Sequence, residues 1–255
     1  MLFEVLPHIA LLLILAAFLA GFVDSIAGGG GLITVPALLL AGASPIEALA
    51  TNKLQGTFGA ATATISYARA GHVRLADQAG MAVISMLSGA AGALVAHLIP
   101  VEALRVVMPV VLVAVALFFA LKPGLSDDDR VERIRPGVFA FTAVPMIAAY
   151  DGFFGPGTGS FFMLAFVMLA GFGVLKATAH TKLLNFASNI GSLSVFIFSG
   201  AMWWAVGSAM ALAQIAGAAL GARLAMRVGS KLIKPLLVVT STAMAGRLLW
   251  QVWAG

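Results

Sequence analysis

The chain has no cysteine among its 255 residues, so it can form no disulfide framework, no thiolate metal site and no thiol nucleophile. Charge is scarce too: Asp, Glu, Lys and Arg make up 10% of the residues, against about 25% in a soluble domain. No lysine or arginine precedes the first apolar run, so the basic n-region of a cleavable signal peptide is missing and the run is expected to stay in the fold. Also missing are a nucleotide-binding phosphate loop, a histidine pair on one helix face and a nucleophile elbow. Ser25 or Ser160 near an aspartate is the closest approach to a hydrolase, and it falls short of a nucleophile with its base. The chain reads as a non-enzyme with no cofactor and no metal.

What is present is apolar. Hydrophobic residues make up 61% of the chain and the mean hydropathy is +1.05, values that belong in a bilayer. Runs near the roughly 20 residues of a membrane span lie at Ile9–Ala27, Ala48–Ala68, Ala79–Leu98, Ala103–Leu121, Val138–Tyr150, Ala177–Phe198, Met202–Met226 and Leu232–Val252. Two runs of about half a span, Leu32–Ala41 and Phe161–Ala170, stand apart. The net charge of +5 comes from bases scattered at helix ends, the pattern produced by anionic lipid and the positive-inside bias rather than by nucleic-acid binding.

A carboxylate beside a glycine break occurs twice inside apolar sequence, in Asp24-Ser-Ile-Ala-Gly-Gly-Gly-Gly31 and Asp151-Gly-Phe-Phe-Gly-Pro-Gly-Thr-Gly159. Non-helical backbone at membrane depth is tolerated only when buried in protein or lining a wet cavity. With a two-residue shift after the breaks, Gly42 aligns with Gly171, Lys53-Leu54 with Lys182-Leu183, Gly71 with Gly200 and Gly92-Ala93 with Gly221-Ala222. The expected fold is therefore an all-α polytopic membrane protein of two homologous repeats, residues 1–121 and 136–255, joined by a cytoplasmic linker at 122–135. Bases at Arg69 and Arg74 in the first half have no counterpart at Ser199–Trp204, whereas Arg223 to Lys234 carries four. That swap points to inverted repeats with the site near the midplane and both termini outside. Four crossings per half is the alternative. The faces at Gly89–Gly92 and Gly217–Gly221 allow close helix contact, within one chain or between two.

Ser44-Pro45-Ile46-Glu47 reads as a capping box with proline at the first helical position. Lys53 lies nine residues further on, roughly 14 Å into a ~30 Å hydrocarbon core. A lysine there costs about 2.5–3.5 kcal/mol to insert and points to function, although each lysine could instead snorkel or pair structurally with Asp24 or Asp151. Lys182 reaches the same depth from Gly173. Asn52 and Gln55 flank Lys53, and Thr181, Asn185 and Asn189 flank Lys182, with His180 beside it. Free amides after Gly30 and Gly31, and around Gly157, Thr158 and Ser160, would form anion-binding helix N-termini. Lysines, amides and hydroxyls together suit a small anionic substrate. Asp24, Asp151 and His180 are candidates for proton coupling; lysine pairing and stabilisation of the breaks are the other roles open to the aspartates.

The stretches Gly21–Pro36 and Ala50–Gly56, then Asp151–Ser160, Ala179–Asn185 and Gly217–Arg227, resemble the sulfite exporter TauE/SafE family of bacterial inner-membrane proteins, also known as the toluene sulfonate uptake permease family. The resemblance spans the whole chain. It implies small organosulfur or carboxylate anions such as sulfite or sulfonates, moved by a proton-coupled secondary mechanism in the bacterial inner membrane. An uncoupled anion channel shares the same buried lysines, and a membrane-embedded enzyme is a third class. Leu184 and Asn185 replace Gln55 and Gly56 in the second copy, so the half-sites differ and the second is expected to make most polar contacts.

Overall fold

Proline and glycine punctuate the helices of the computed structural model, which describes residues 4–100 and 131–229 with isolated positions 102–104, 110, 114 and 231. The elements are α1 Pro7–Ala27, α2 Gly31–Leu40, α3 Pro45–Arg69, α4 Ala79–Leu98, α5 Pro136–Phe141, α6 Ala143–Phe153, α7 Thr158–Met168, α8 Val174–Phe196 and α9 Trp204–Val228. Among the described residues there is no strand. The expected helices Ala103–Leu121 and Leu232–Val252 fall almost wholly outside the described residues, as does the linker through residue 130.

The capping box forms at α3: Ser44 N donates to Glu47 Oε2 at 2.7 Å and Glu47 N to Ser44 Oγ at 3.4 Å. Gly42 (φ +97°) ends α2 in a Schellman motif, with Ala43 N on Leu38 O at 3.0 Å. Sequence reading makes Val138–Tyr150 one helix, but the structure breaks it at Thr142 (φ −121°, ψ −71°). Pro145 explains this, since it cannot donate to the carbonyl of Phe141 and its ring crowds that same group.

Three described segments, Pro7–Ala27, Leu75–Leu98 and Trp204–Val228, are long and apolar enough to cross a membrane. The α3 and α8 helices, of 25 and 23 residues, are as long but carry buried Asn, Gln, Lys, Thr and Ser side chains in their middles. Leu11, Leu12, Leu15 and Leu19 of α1, Val83, Leu87 and Leu94 of α4, and Leu212 and Leu220 of α9 face outward. In water this apolar surface would be a liability, whereas against lipid it is the expected one. The chain is a membrane protein.

The polar helices α3 and α8 pack on each other at the centre. Around them α1 packs on α9, α4 packs on α6 and α8, and α3 packs on α9. Glycine permits these close crossings: a Cβ on Gly92 would lie 2.0 Å from Ala149 O, one on Gly191 1.9 Å from Met86 O, and one on Gly217 2.0 Å from Phe18 O. The glycine faces of α4 and α9 are thus used within this one chain.

Glu4 accepts from Ala205 N at 2.8 Å and Val206 N at 3.0 Å, so the start of the chain caps the N-terminus of α9. Burial raises the Glu4 carboxyl, but the hydrogen bonds from these amides outweigh it and its pKa lies below the ordinary value. With the folded value below the unfolded one, the cap contributes stability above the usual glutamate range and loses it as pH falls through the depressed value. Acid-induced decline of the thermal midpoint is therefore expected to be shallower in Glu4→Gln than in wild type. Equal slopes would remove this cap from the account.

Candidate functional site

The two lysines are crossed over to the aspartates of the opposite halves. Lys53 Nζ of α3 lies 2.8 Å from Oδ1 of Asp151 in α6, and Lys182 Nζ of α8 lies 3.3 Å from Oδ2 of Asp24 in α1. Lys182 also donates to the main-chain carbonyl of Asp24. Both lysine side chains are only 1% exposed. Two cations and two anions sum to zero, which is how a dry interior tolerates four charges.

The aspartates differ in how tightly they are held. Asp151 Oδ2 accepts from Ser188 Oγ at 2.6 Å and Asn189 Nδ2 at 3.2 Å, so both its oxygens are engaged and its side chain is 3% exposed. Asp24 Oδ1 accepts from Gly30 N at 3.1 Å, and its side chain is 17% exposed.

Between the pairs is a cavity of about 30 Å³ whose lining includes Asp24, Asp151, Asn52, Asn185, Asn189, Gly30, Gly31, Gly157 and Thr158. It has room for roughly two water molecules. Two helix N-termini meet there, those of α2 and α7, with the positive ends of their dipoles; Leu32 N and Ile33 N donate to Gly29 O and Gly30 O, and Thr158 N to Gly155 O. The breaks before these helices touch each other: a Cβ on Gly28 would lie 2.3 Å from Ser160 N, and one on Gly31 3.2 Å from Pro156 Cα. Gly155 (φ +95°) lets Lys53 through, since a Cβ there would lie 3.0 Å from Nζ.

The remaining polar groups orient the lining. Asn52 Oδ1 accepts from Thr34 Oγ1 at 2.6 Å and Gln55 Nε2 at 2.9 Å, which leaves Asn52 Nδ2 to donate. Asn185 Oδ1 accepts from Asn189 Nδ2 at 3.2 Å, with the same consequence for Asn185 Nδ2. Gln55 thus stands behind the cavity wall. Thr158 Oγ1 donates to Gly155 O at 2.7 Å and Ser160 Oγ to Ala27 O at 2.9 Å, so these hydroxyls brace the breaks. Thr181 is buried but does not line the cavity. His180 sits among aromatic rings, 5.7 Å from Phe166 and 4.9 Å from Phe172, away from the lining.

Sequence reasoning missed Gln214 of α9, which is 3% exposed, lines the cavity and donates from Nε2 to Gln55 Oε1 at 2.5 Å. The signal was available: it is a lone amide in a run of small apolar residues.

A model of the family described as sulfite exporter TauE/SafE matches residues 13–248. "Probable membrane transporter protein ORF9" of Sinorhizobium sp. is 56% identical over 254 residues, covering 97% of each chain. "Probable membrane transporter protein YfcA" of Escherichia coli K12 is 46% identical over 250 residues, 98% of this chain and 93% of its own. A "Probable membrane transporter protein" of Haemophilus influenzae is 42% identical over 243 residues, 95% of both. No solved structure matches the chain. With the match running through both glycine breaks and both lysines, the chain belongs to the sulfite exporter TauE/SafE family.

Proposed function

We propose that the protein is an alternating-access secondary transporter of small organosulfur or carboxylate anions in the bacterial inner membrane, with protons as the coupling ion. The observation that carries this reading is the pair of crossed Lys–Asp bridges around a buried polar cavity where two helix N-termini meet. Amides and dipoles of that kind favour an anion, and a lysine released from its aspartate would supply the full charge. The names of the relatives support transport.

The packing supports inverted repeats. Matching α1 to α5–α6, α2 to α7, α3 to α8 and α4 to α9, the contact of α1 with α9 has its counterpart in α6 with α4, and that of α3 with α9 in α8 with α4. Each repeat lends its first helix to the other, and the central α3–α8 contact lies where a pseudo-two-fold axis would pass. Rocking one repeat on the other would then open the cavity to each side in turn.

The test is flux of labelled sulfite, sulfonates and short carboxylates into proteoliposomes under an imposed pH gradient. Saturable, gradient-driven uptake is expected, abolished in Lys182→Ala. Gradient-independent conduction would instead make the protein a channel, and unaltered flux in Lys182→Ala would move the site elsewhere.

A further inference from the structure

The two bridges are built differently, and the difference assigns roles within the transport reading, on which this inference rests. We infer that Asp24, not Asp151, is the carboxylate that takes up the coupling proton, and that its protonation transfers Lys182 and the Gly30 amide to the substrate anion.

Asp151 is closed to this role by its ligands. Lys53, Ser188 and Asn189 occupy both of its oxygens, and with its side chain 3% exposed a proton could reach it only by breaking several contacts together. Asp24 has one amide on one oxygen and one lysine on the other, and with its side chain 17% exposed it is the more open of the two. Lys182 is not lost when that ion pair opens, because the main-chain carbonyl of Asp24 still anchors it. Its ammonium carries three donors, and the backbone of Gly159 lies close enough that a Cβ there would stand 3.5 Å from Nζ. The freed donors therefore lie beside the start of α7.

Among the described residues, the groups facing Asp24 leave no rival acceptor or donor of charge. Lys182 comes from α8 and the Gly30 amide from the start of α2; α7 presents the glycine backbone at Gly159. From α3, Tyr67 directs its hydroxyl to Ser25 O at 2.9 Å, and from α9 Gln214 is uncharged. Across the cavity Lys53 and Asp151 are engaged with each other. The charge then balances. The four ionised groups sum to zero; one proton on Asp24 makes the site +1, which a monoanion cancels. The proton breaks the Lys182–Oδ2 ion pair, the anion takes the lysine, and proton and monoanion move together without net charge.

Carbodiimide labelling of the wild-type full chain in nanodiscs tests this without mutation, because the reagent modifies protonated buried carboxyl groups. Peptide mapping should place the label on Asp24, rising as the pH is lowered, and not on Asp151. Label on Asp151, or on neither, would overturn the assignment. In proteoliposomes with methanesulfonate, a fixed monoanion, Asp24→Asn should lose the accumulation that a pH gradient drives in the wild type. Accumulation that persists in Asp24→Asn would overturn the assignment as well. Labelling does not depend on flux, so absence of methanesulfonate flux in the wild type with label on Asp24 would sink the transport reading for that anion and leave the proton site standing.

Discussion

Asp151→Asn is expected to lower stability by about 3–5 kcal/mol, because it strands the Lys53 ammonium in the protein interior. The cost arises from the partner left behind more than from the contact removed. Asparagine keeps an acceptor for Ser188 but cannot balance a cation that is 1% exposed. A double substitution that also replaces Lys53 with methionine removes the stranded charge, fills similar volume and should recover most of the loss. Thermal midpoints of the two single variants and the double variant in one detergent measure this coupling. Additive losses would show that the two side chains do not act as a pair. The same cycle on Asp24 and Lys182 should give a smaller coupling, since Lys182 keeps the Asp24 carbonyl and Asp24 is partly exposed.

The second large effect is expected at Gly28→Ala. Gly28 has φ +79°, and its new methyl would stand 2.3 Å from Ser160 N and 2.5 Å from the carbonyl carbon of Gly159. With ψ 171° Gly28 lies in a region that essentially only glycine populates, which costs any other residue about 1–3 kcal/mol. The collision adds to that, because the obstacle is backbone and cannot rotate away. Gly42 provides the control: it has φ +97° but nothing within 4 Å of an added Cβ. Gly42→Ala should therefore show only the conformational cost, with flux preserved. Gly28→Ala should push the two breaks apart, release the Ser160 hydroxyl from Ala27 O and abolish flux. Equal effects of the two substitutions on midpoint and flux would show that contact between the breaks does not matter.

Much of this architecture was legible in the sequence because it rests on local rules. The rise per residue is fixed, so a cap at Ser44 sets the depth of Lys53. The glycine tetrad and the Asp151 break announced two short helices, which the structure starts at Gly31 and Thr158. What was not legible depends on tertiary arrangement. The sequence raised pairing of the lysines with the aspartates as one possibility, but that each reaches into the opposite half follows only from how α1 and α6 are exchanged. Gln214 stands out as a lone amide in the sequence, but that it meets Gln55 at the cavity follows only once α9 is seen against α3. His180 has the right depth in the chain, but its side chain turns towards Phe166 and Phe172, and helix rise says nothing about azimuth. The break at Thr142 was missed because Pro145 acts one turn before its own position.

The packing of α1 on α9 and of α6 on α4 also bears on the order of assembly. On the ribosome α1 and α3 emerge long before their partners, so Asp24 and Lys53 enter the bilayer with neither Lys182 nor Asp151 yet made. For that interval the nascent first half holds a lysine whose insertion costs about 2.5–3.5 kcal/mol at mid-helix, and no described residue of its own half pairs with it. Only when α6 and α8 are in place can both charges be neutralised, and only with α9 does α1 gain its main neighbour. The last described helix closes on the first, so the packing around α1 is complete only once the second half has been made.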